Sequence, residues 1–310
     1  MRSKIPIILI LLMGLLYNCW PVNPSYAQDE EKKIKIVTTI APITDAARTI
    51  GGDHVLVNGL MGPGVDPHLY KASKSDVTKL TEADIVLYNG LYLEAKMEGM
   101  LERLKRDKLT VPAGEAVPVE LRLEGINNNG HEDPHIWFDV TLWMMAVDKI
   151  TQTLAEYDPA HKEEYLKNAD EYKKELEMLH GHVSGRAMEL SALQRVLVTA
   201  HDAFRYFGRK YGFEVLGLQG IGTQAGASAK NITKLAEFIA KRKIKTIFVE
   251  SSVPERNIKD LQDAVRKRGW EVEIGGQLFS DAMGDAGTPE WTYIGTLTHN
   301  IDTIVDSLKK

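Results

Sequence analysis

Apolar and polar positions along the chain follow two alternating rhythms. Short apolar runs suited to buried strands occur at 35–40, 54–61, 85–89 and 117–121 in the first half. The same style returns at 196–200, 215–218, 246–250 and 271–274 in the second half. Between them lie stretches with amphipathic helical spacing, for example 75–82, 230–242 and 255–268. A parallel strand reaches its neighbour only through a crossover. Apolar strands separated by helical segments therefore predict an α/β fold of parallel sheets wrapped by helices.

A different rhythm fills the middle of the chain. Asp158-Pro159 is a helix start, with Asp as cap and Pro at the first helical position. Tyr165, Ala169, Tyr172, Leu176, Leu179 and Val183 then recur at four-three spacing and mark one buried face. A helix from Pro159 to His180 runs roughly 33 Å at 1.5 Å per residue. Gly181 and Gly185 each cost about 1 kcal/mol in a helix interior and predict a bend or stop there. The expected organisation is an N-terminal α/β lobe over 28–155, a single linking helix over 156–189 and a C-terminal α/β lobe over 190–310.

Residues 1–27 differ from the rest. Arg2 and Lys4 precede a short apolar run over 5–16, and Ser25-Tyr26-Ala27 supplies small residues at −3 and −1. That order predicts a secretory signal cleaved before Gln28, leaving a periplasmic product. The run is too short for a stable membrane span. Cys19 opens a rival outcome, acylation at that thiol, although Asn18 stands where a small residue is expected. Cys19 is the only cysteine. A chain beginning at Gln28 would hold no disulfide, thiolate ligand or cysteine nucleophile, so any metal chemistry must use His, Asp and Glu. A formal charge of −5 offers no basic stripe for nucleic acid.

Three of the nine histidines stand in distinctive settings. His68 closes Gly62-Pro63-Gly64-Val65-Asp66-Pro67-His68, just after a strand. His135 lies in Asp133-Pro134-His135-Ile136-Trp137. His201 directly follows the strand 196–200, and Asp281 follows the 271–279 stretch in the same manner. Open α/β sheets bind ligands beyond the carboxyl ends of their strands. If the two lobes face each other, three imidazoles and a carboxylate meet there, a closed set suited to zinc and acceptable to manganese. In each Asp-Pro-His triplet, proline stiffens the turn, and the Asp can bond its own turn or orient the imidazole. Asp281 has a plainer alternative role, capping the turn over 282–284. Glu250 ends an apolar strand near the predicted cleft, as a support for a ligand or as a structural acid. His131 reads as a solvated loop residue beside Asn127-Asn128-Asn129-Gly130. His54, His161, His180, His182 and His299 have no constellation around them.

These segments, together with Asp84-Ile85-Val86-Leu87-Tyr88-Asn89-Gly90, Val198-Thr199-Ala200-His201-Asp202-Ala203-Phe204 and Leu278-Phe279-Ser280-Asp281, resemble the zinc- and manganese-receptor group of ABC importers, the zinc-uptake and TroA-like family. The resemblance implies two α/β lobes on a long backbone helix and one bound Zn2+ or Mn2+ per chain. It implies His68, His135, His201 and Asp281 as ligands, an ABC importer permease as partner, and a monomer. Many manganese receptors of the group carry Glu at the third position, where this chain has His201. Zinc receptors often carry a long His-rich acidic loop before the second ligand, where this chain has only 125–132. Three nitrogens and one carboxylate favour zinc over manganese by the Irving–Williams order. Imidazoles must be neutral to bind, so affinity is expected to fall below about pH 6.5. A secreted zinc hydrolase is a rival, but four protein ligands leave no open position and no His-Glu-x-x-His is present. A metal-binding surface adhesin is a second rival. No Walker motif is present, so the chain is not the ATPase.

Overall fold

The computed structural model describes residues 32–125 and 130–310. The expected signal, Cys19 and Asn127–Asn129 of the polar loop lie outside these residues. Eight strands and nine α-helices alternate among the described residues. The first half runs β1 (Ile34–Thr38), α1 (Ala41–Gly51), β2 (Val55–Gly59), α2 (Lys74–Glu82), β3 (Ile85–Tyr88), α3 (Glu98–Asp107) and β4 (Leu109–Pro112). Two helices follow, α4 (Val140–Tyr157) and α5 (Lys162–Met188). The second half runs β5 (Val196–Thr199), α6 (Arg205–Tyr211), β6 (Glu214–Gly217), α7 (Ala229–Arg242), β7 (Thr246–Glu250), α8 (Arg256–Arg266), β8 (Glu273–Leu278) and α9 (Tyr293–Leu308).

All strand pairs are parallel, as the alternation of patterns predicts. The first sheet has the order β2-β1-β3-β4. In the second half β5 pairs with β6 and β7 with β8, and β5 lies beside β7. The second half thus repeats the spatial order of the first, one strand for one. Even the exits match. Leu60 N–H donates to the carbonyl of Thr38 as Leu218 N–H donates to that of Thr199, so the chain leaves β2 and β6 in the same way. Ligand-bearing loops at the carboxyl ends follow from this geometry, because every parallel strand delivers its chain to the same edge.

Helix α5 buries Tyr165, Ala169, Tyr172, Leu176, Leu179, Val183 and Ala187, the expected stripe extended by one more turn. It packs on α1, α4 and α9, and one apolar core runs from Ile36 through Trp143 and Leu176 to Ile301. Pro159 opens a short 3-10 turn ahead of the helix proper. Asp158 does not cap it with its side chain; its carboxylate accepts from His161 Nδ1 and Tyr165 Oη, both at 2.7 Å. The helix neither bends to a stop nor ends at Gly181 or Gly185. Both glycines are exposed, so their cost is local, while the buried stripe continues beneath them.

Two strand boundaries depart from expectation. The run 117–121 is not the fourth strand; β4 precedes it, and Val119–Leu121 forms a 3-10 turn. Pro118 supplies no N–H for a ladder, and Val119 is 67% exposed, so the local alternation does not face a core. Strand β8 continues past Ile274 through Gly275 and Gly276, which look like breakers. A Cβ on Gly275 would lie 2.3 Å from Thr246 Cγ2, so the neighbouring strand itself demands glycine.

A Cβ added at Gly181 meets nothing within 4 Å. Gly181→Ala should therefore stabilise the protein by about 0.5–1 kcal/mol through helix propensity alone. A raised urea midpoint at unchanged slope would show this; an unchanged or lowered midpoint would mean that α5 is locally strained.

Candidate metal centre

Each of the four singled-out side chains sits on a loop at the carboxyl edge of the strands. His68 stands beyond β2, His135 beyond β4, His201 two residues after β5 and Asp281 three residues after β8. Both Asp-Pro-His triplets fold alike. Asp66 Oδ1 accepts from His68 N–H at 2.9 Å, and Asp133 Oδ1 accepts from His135 N–H at 3.1 Å. The carboxylate closes the turn that proline stiffens, and the imidazole is presented inward.

The structure brings all four together. One donor atom from each of His68, His135, His201 and Asp281 lies within 4.8 Å of the others, and all four residues are buried. His68 Nε2 is 3.3 Å from His135 Nε2 and 3.6 Å from Asp281 Oδ2. His135 Nε2 lies 3.4 Å from Asp281 Oδ1, and His201 Nε2 lies 3.3 Å from Asp281 Oδ2. A tetrahedron of donors at 2.0–2.1 Å from an ion has an edge of about 3.3–3.4 Å. Three of these four distances are of that size, with His135 and His201 facing different oxygens of Asp281. His201 Nε2 and both Asp281 carboxylate oxygens make no hydrogen bond although they stand at contact distance and are shut off from water. Orphaned buried polar atoms are costly, and these converge on a shared point.

A second layer of carboxylates holds the rings. Asp133 Oδ1 takes the Nδ1 proton of His135 at 2.7 Å. Glu250 accepts from His201 twice, from its backbone N–H at 2.8 Å and from Nδ1 at 2.5 Å. Glu250 is therefore the support of a site imidazole, the first of its two expected roles. In both rings the Nδ1–H···carboxylate bond leaves Nε2 pointing to the centre. Asp281 does not cap the following turn, since neither oxygen accepts a hydrogen bond.

Electrostatics divides the four. Burial pushes His68 down to about 3, with His135 and His201 adding to the effect against Asp281. Burial also opposes charge on His135, yet Asp133 and Asp281 outweigh it and hold the ring up at about 9. Burial is likewise outweighed at His201, where Glu250 and Asp281 raise it well above the ordinary histidine value. Burial would raise Asp281, but His201 and His135 keep it well below the usual carboxylate range. Without an ion, two imidazoliums neutralise the carboxylates; an ion must displace their protons.

The remaining histidines stay outside the cluster. His131 stacks on Tyr92 with centroids 3.7 Å apart, and His54 stacks on His161 at 3.8 Å. His180 meets Tyr211 Oη, His182 faces Asp302, and His299 contacts the Gln277 carbonyl. Contacts between the two halves include several that carry no local sequence signal. Tyr206 Oη donates to the Asp133 carbonyl, Trp137 Nε1 to the Ser280 carbonyl, and Thr223 Oγ1 to Asp66 Oδ2. Partners more than 70 residues apart cannot be paired from spacing.

Parallel sheets deliver three imidazoles and a carboxylate from both halves to one dry point, a donor set that could hold a metal ion. The chain belongs to the family described as zinc-uptake complex component A, periplasmic, whose model matches residues 36–307. It is 48% identical over 301 residues to the zinc-binding protein TroA of Treponema pallidum, covering 97% of each chain. It is 44% identical over 285 residues to the manganese-binding lipoprotein MntA of Bacillus subtilis, covering 92% of this chain and 93% of that one. The solved structure of the periplasmic zinc-binding protein TroA from Treponema pallidum superposes with a TM-score of 0.87 at 50% identity, covering 89% of this chain and 99% of that one.

The pH window follows from the raised imidazoles. His135 and His201 are protonated in the empty site at neutral pH, so an ion binds by expelling their protons, and affinity should climb as pH rises toward about 9. This moves the expected fall-off upward from pH 6.5. Calorimetry at pH 7 in buffers of different ionisation heat should show about two protons released per ion; release of none would refute the assignment. Glu250→Gln should weaken binding by about 10–100-fold, because the ring loses its anionic support. Competition titration against a chelator of known affinity measures the loss.

Proposed function

We propose that this chain is the extracytoplasmic receptor of a metal-importing ABC transporter, capturing one zinc ion through His68, His135, His201 and Asp281 and delivering it to a membrane permease. The carrying observation is the convergence of four buried donor atoms within 4.8 Å of one another, with His201 Nε2 and both Asp281 oxygens lacking hydrogen-bond partners. Zinc is favoured by the three nitrogens, by the small polyhedron and by His201 in place of a carboxylate. Manganese is the second reading, favoured by the likeness to a manganese-binding lipoprotein. A hydrolase needs a position left open for water beside a general base, and four converging protein donors argue against one.

Among the described residues no helix is long and apolar enough to cross a membrane. Location outside the cytoplasm rests on the leader-like residues 1–27 and on the periplasmic family. Release after Ala27 is the primary reading; a lipid at Cys19 is the second, favoured by the lipoprotein relative. The organisation proposed is two lobes, 28–155 and 190–310, on the linking segment 156–189, acting as a monomer.

Stripping the chain from Gln28 onward and reloading it with competing zinc and manganese should return one equivalent of zinc by elemental analysis. His201→Ala should lose most of that affinity. No stoichiometric metal, or no effect of His201→Ala, would sink the proposal; one equivalent of manganese would transfer it to that ion.

A further inference from the structure

The four donors are not held equally. His135 and His201 are backed by Asp133 and Glu250, and their loops are tied into the interior. Trp137 donates across to the Ser280 carbonyl, Phe138 packs on Phe204 with centroids 4.2 Å apart, and Arg205, Tyr206 and Arg209 donate to the carbonyls of Glu124, Asp133 and Leu121. The His68 turn is different. Gly62, Pro63, Gly64 and Leu69 are exposed around it, and what lies over it comes from the other half. Thr223 Oγ1 donates to Asp66 Oδ2 at 2.5 Å, and Gln224 Nε2 donates to the His68 carbonyl at 3.2 Å. Gly64, with φ of +70°, rests where an added Cβ would stand 3.5 Å from the Ser251 carbonyl oxygen.

These contacts have a structural logic. The loops after β2 and β6 leave corresponding strands by the same hydrogen bond, so the repeat brings the His68 turn and the Thr223 turn face to face over the site. Asp66 is bound on both sides: Oδ1 closes the His68 turn, and Oδ2 takes the Thr223 proton. One carboxylate thus couples the shape of a donor's turn to the closeness of the two halves.

We propose that Thr223 and Gln224 are positioning residues that latch the His68 turn over the captured ion and set how fast the ion leaves, without touching it. The proposal rests on the receptor reading above. Thr223 is buried and its hydroxyl donates at 2.5 Å to Asp66 Oδ2, so it is the stronger member; Gln224 is exposed and donates at 3.2 Å, and it trims the rate. Loss of the latch frees the turn carrying His68 while His135 and His201 keep their carboxylate supports. Dissociation then accelerates more than association slows.

The test is zinc release from the loaded chain into excess chelator, followed by stopped flow. Thr223→Val should release zinc on the order of tenfold faster, the equivalent of one hydrogen bond. Gln224→Ala should be faster by a smaller factor. Thr223→Ser, which keeps the hydroxyl, should restore the native rate. Thr223→Val should add nothing in an Asp66→Asn background. Native release rates in both Thr223→Val and Gln224→Ala overturn the latch, as does Thr223→Ser behaving like Thr223→Val. An unmodified chain that takes up neither zinc nor manganese overturns the receptor reading and the latch together.

Discussion

A carboxylate buried with neither oxygen hydrogen-bonded is the constraint around which this protein is arranged. Asp281 is 3% exposed, and taking such an ion out of water costs several kcal/mol unless opposite charge answers it. Two answers are available in the same space: protons on His135 and His201, or one cation shared by all four side chains. Protons and a cation would therefore compete for the same space. Asp133 and Glu250 make that exchange workable. Each keeps a proton on Nδ1, so the proton that an arriving ion displaces is the one on Nε2, the nitrogen that faces the centre. Remove those carboxylates and the rings are free to turn, leaving Asp281 unanswered.

Rigidity is distributed to serve the same end. The core along α5 joins residues from both halves, and α5 touches α1, α4 and α9 over its length. Such a spine resists wide opening, and access to the dry site must come from small motions of loops or slight rocking. The repeated strand order matters here. Corresponding loops meet across the junction, one side joined by aromatic packing and charged contacts, the other by two hydrogen bonds to the His68 turn. A molecule that captures tightly and must still surrender its cargo benefits from one firm edge and one loose one.

Much of this was legible from local pattern. The stripe from Tyr165 to Val183 marked the long helix because four-three spacing returns each apolar residue to the same helix face. Apolar runs such as 85–89 and 246–250 marked parallel strands. The Asp-Pro-His triplets announced their turns, since proline and aspartate act within a few bonds. The failures also have local causes. Val119 alternates like a strand residue but faces water, and Gly275 resembles a breaker although a crowded neighbour requires it. Gly181 and Gly185 promised an end to α5, yet a helix held by its opposite face tolerates them.

The sequence by itself thus determined the periodicity of the elements, the turns that present each imidazole and the chemistry available, with no thiol after Cys19 and few settings for the remaining histidines. Only the tertiary structure decided that His68, His135, His201 and Asp281 share one point, that Glu250 rather than water stands behind His201, and that Thr223 reaches Asp66. Turns are governed by bonds within a few residues and leave their mark in composition. Convergence of side chains as far apart as His68 and Asp281 depends on sheet order and helix packing, which no single stretch of chain encodes.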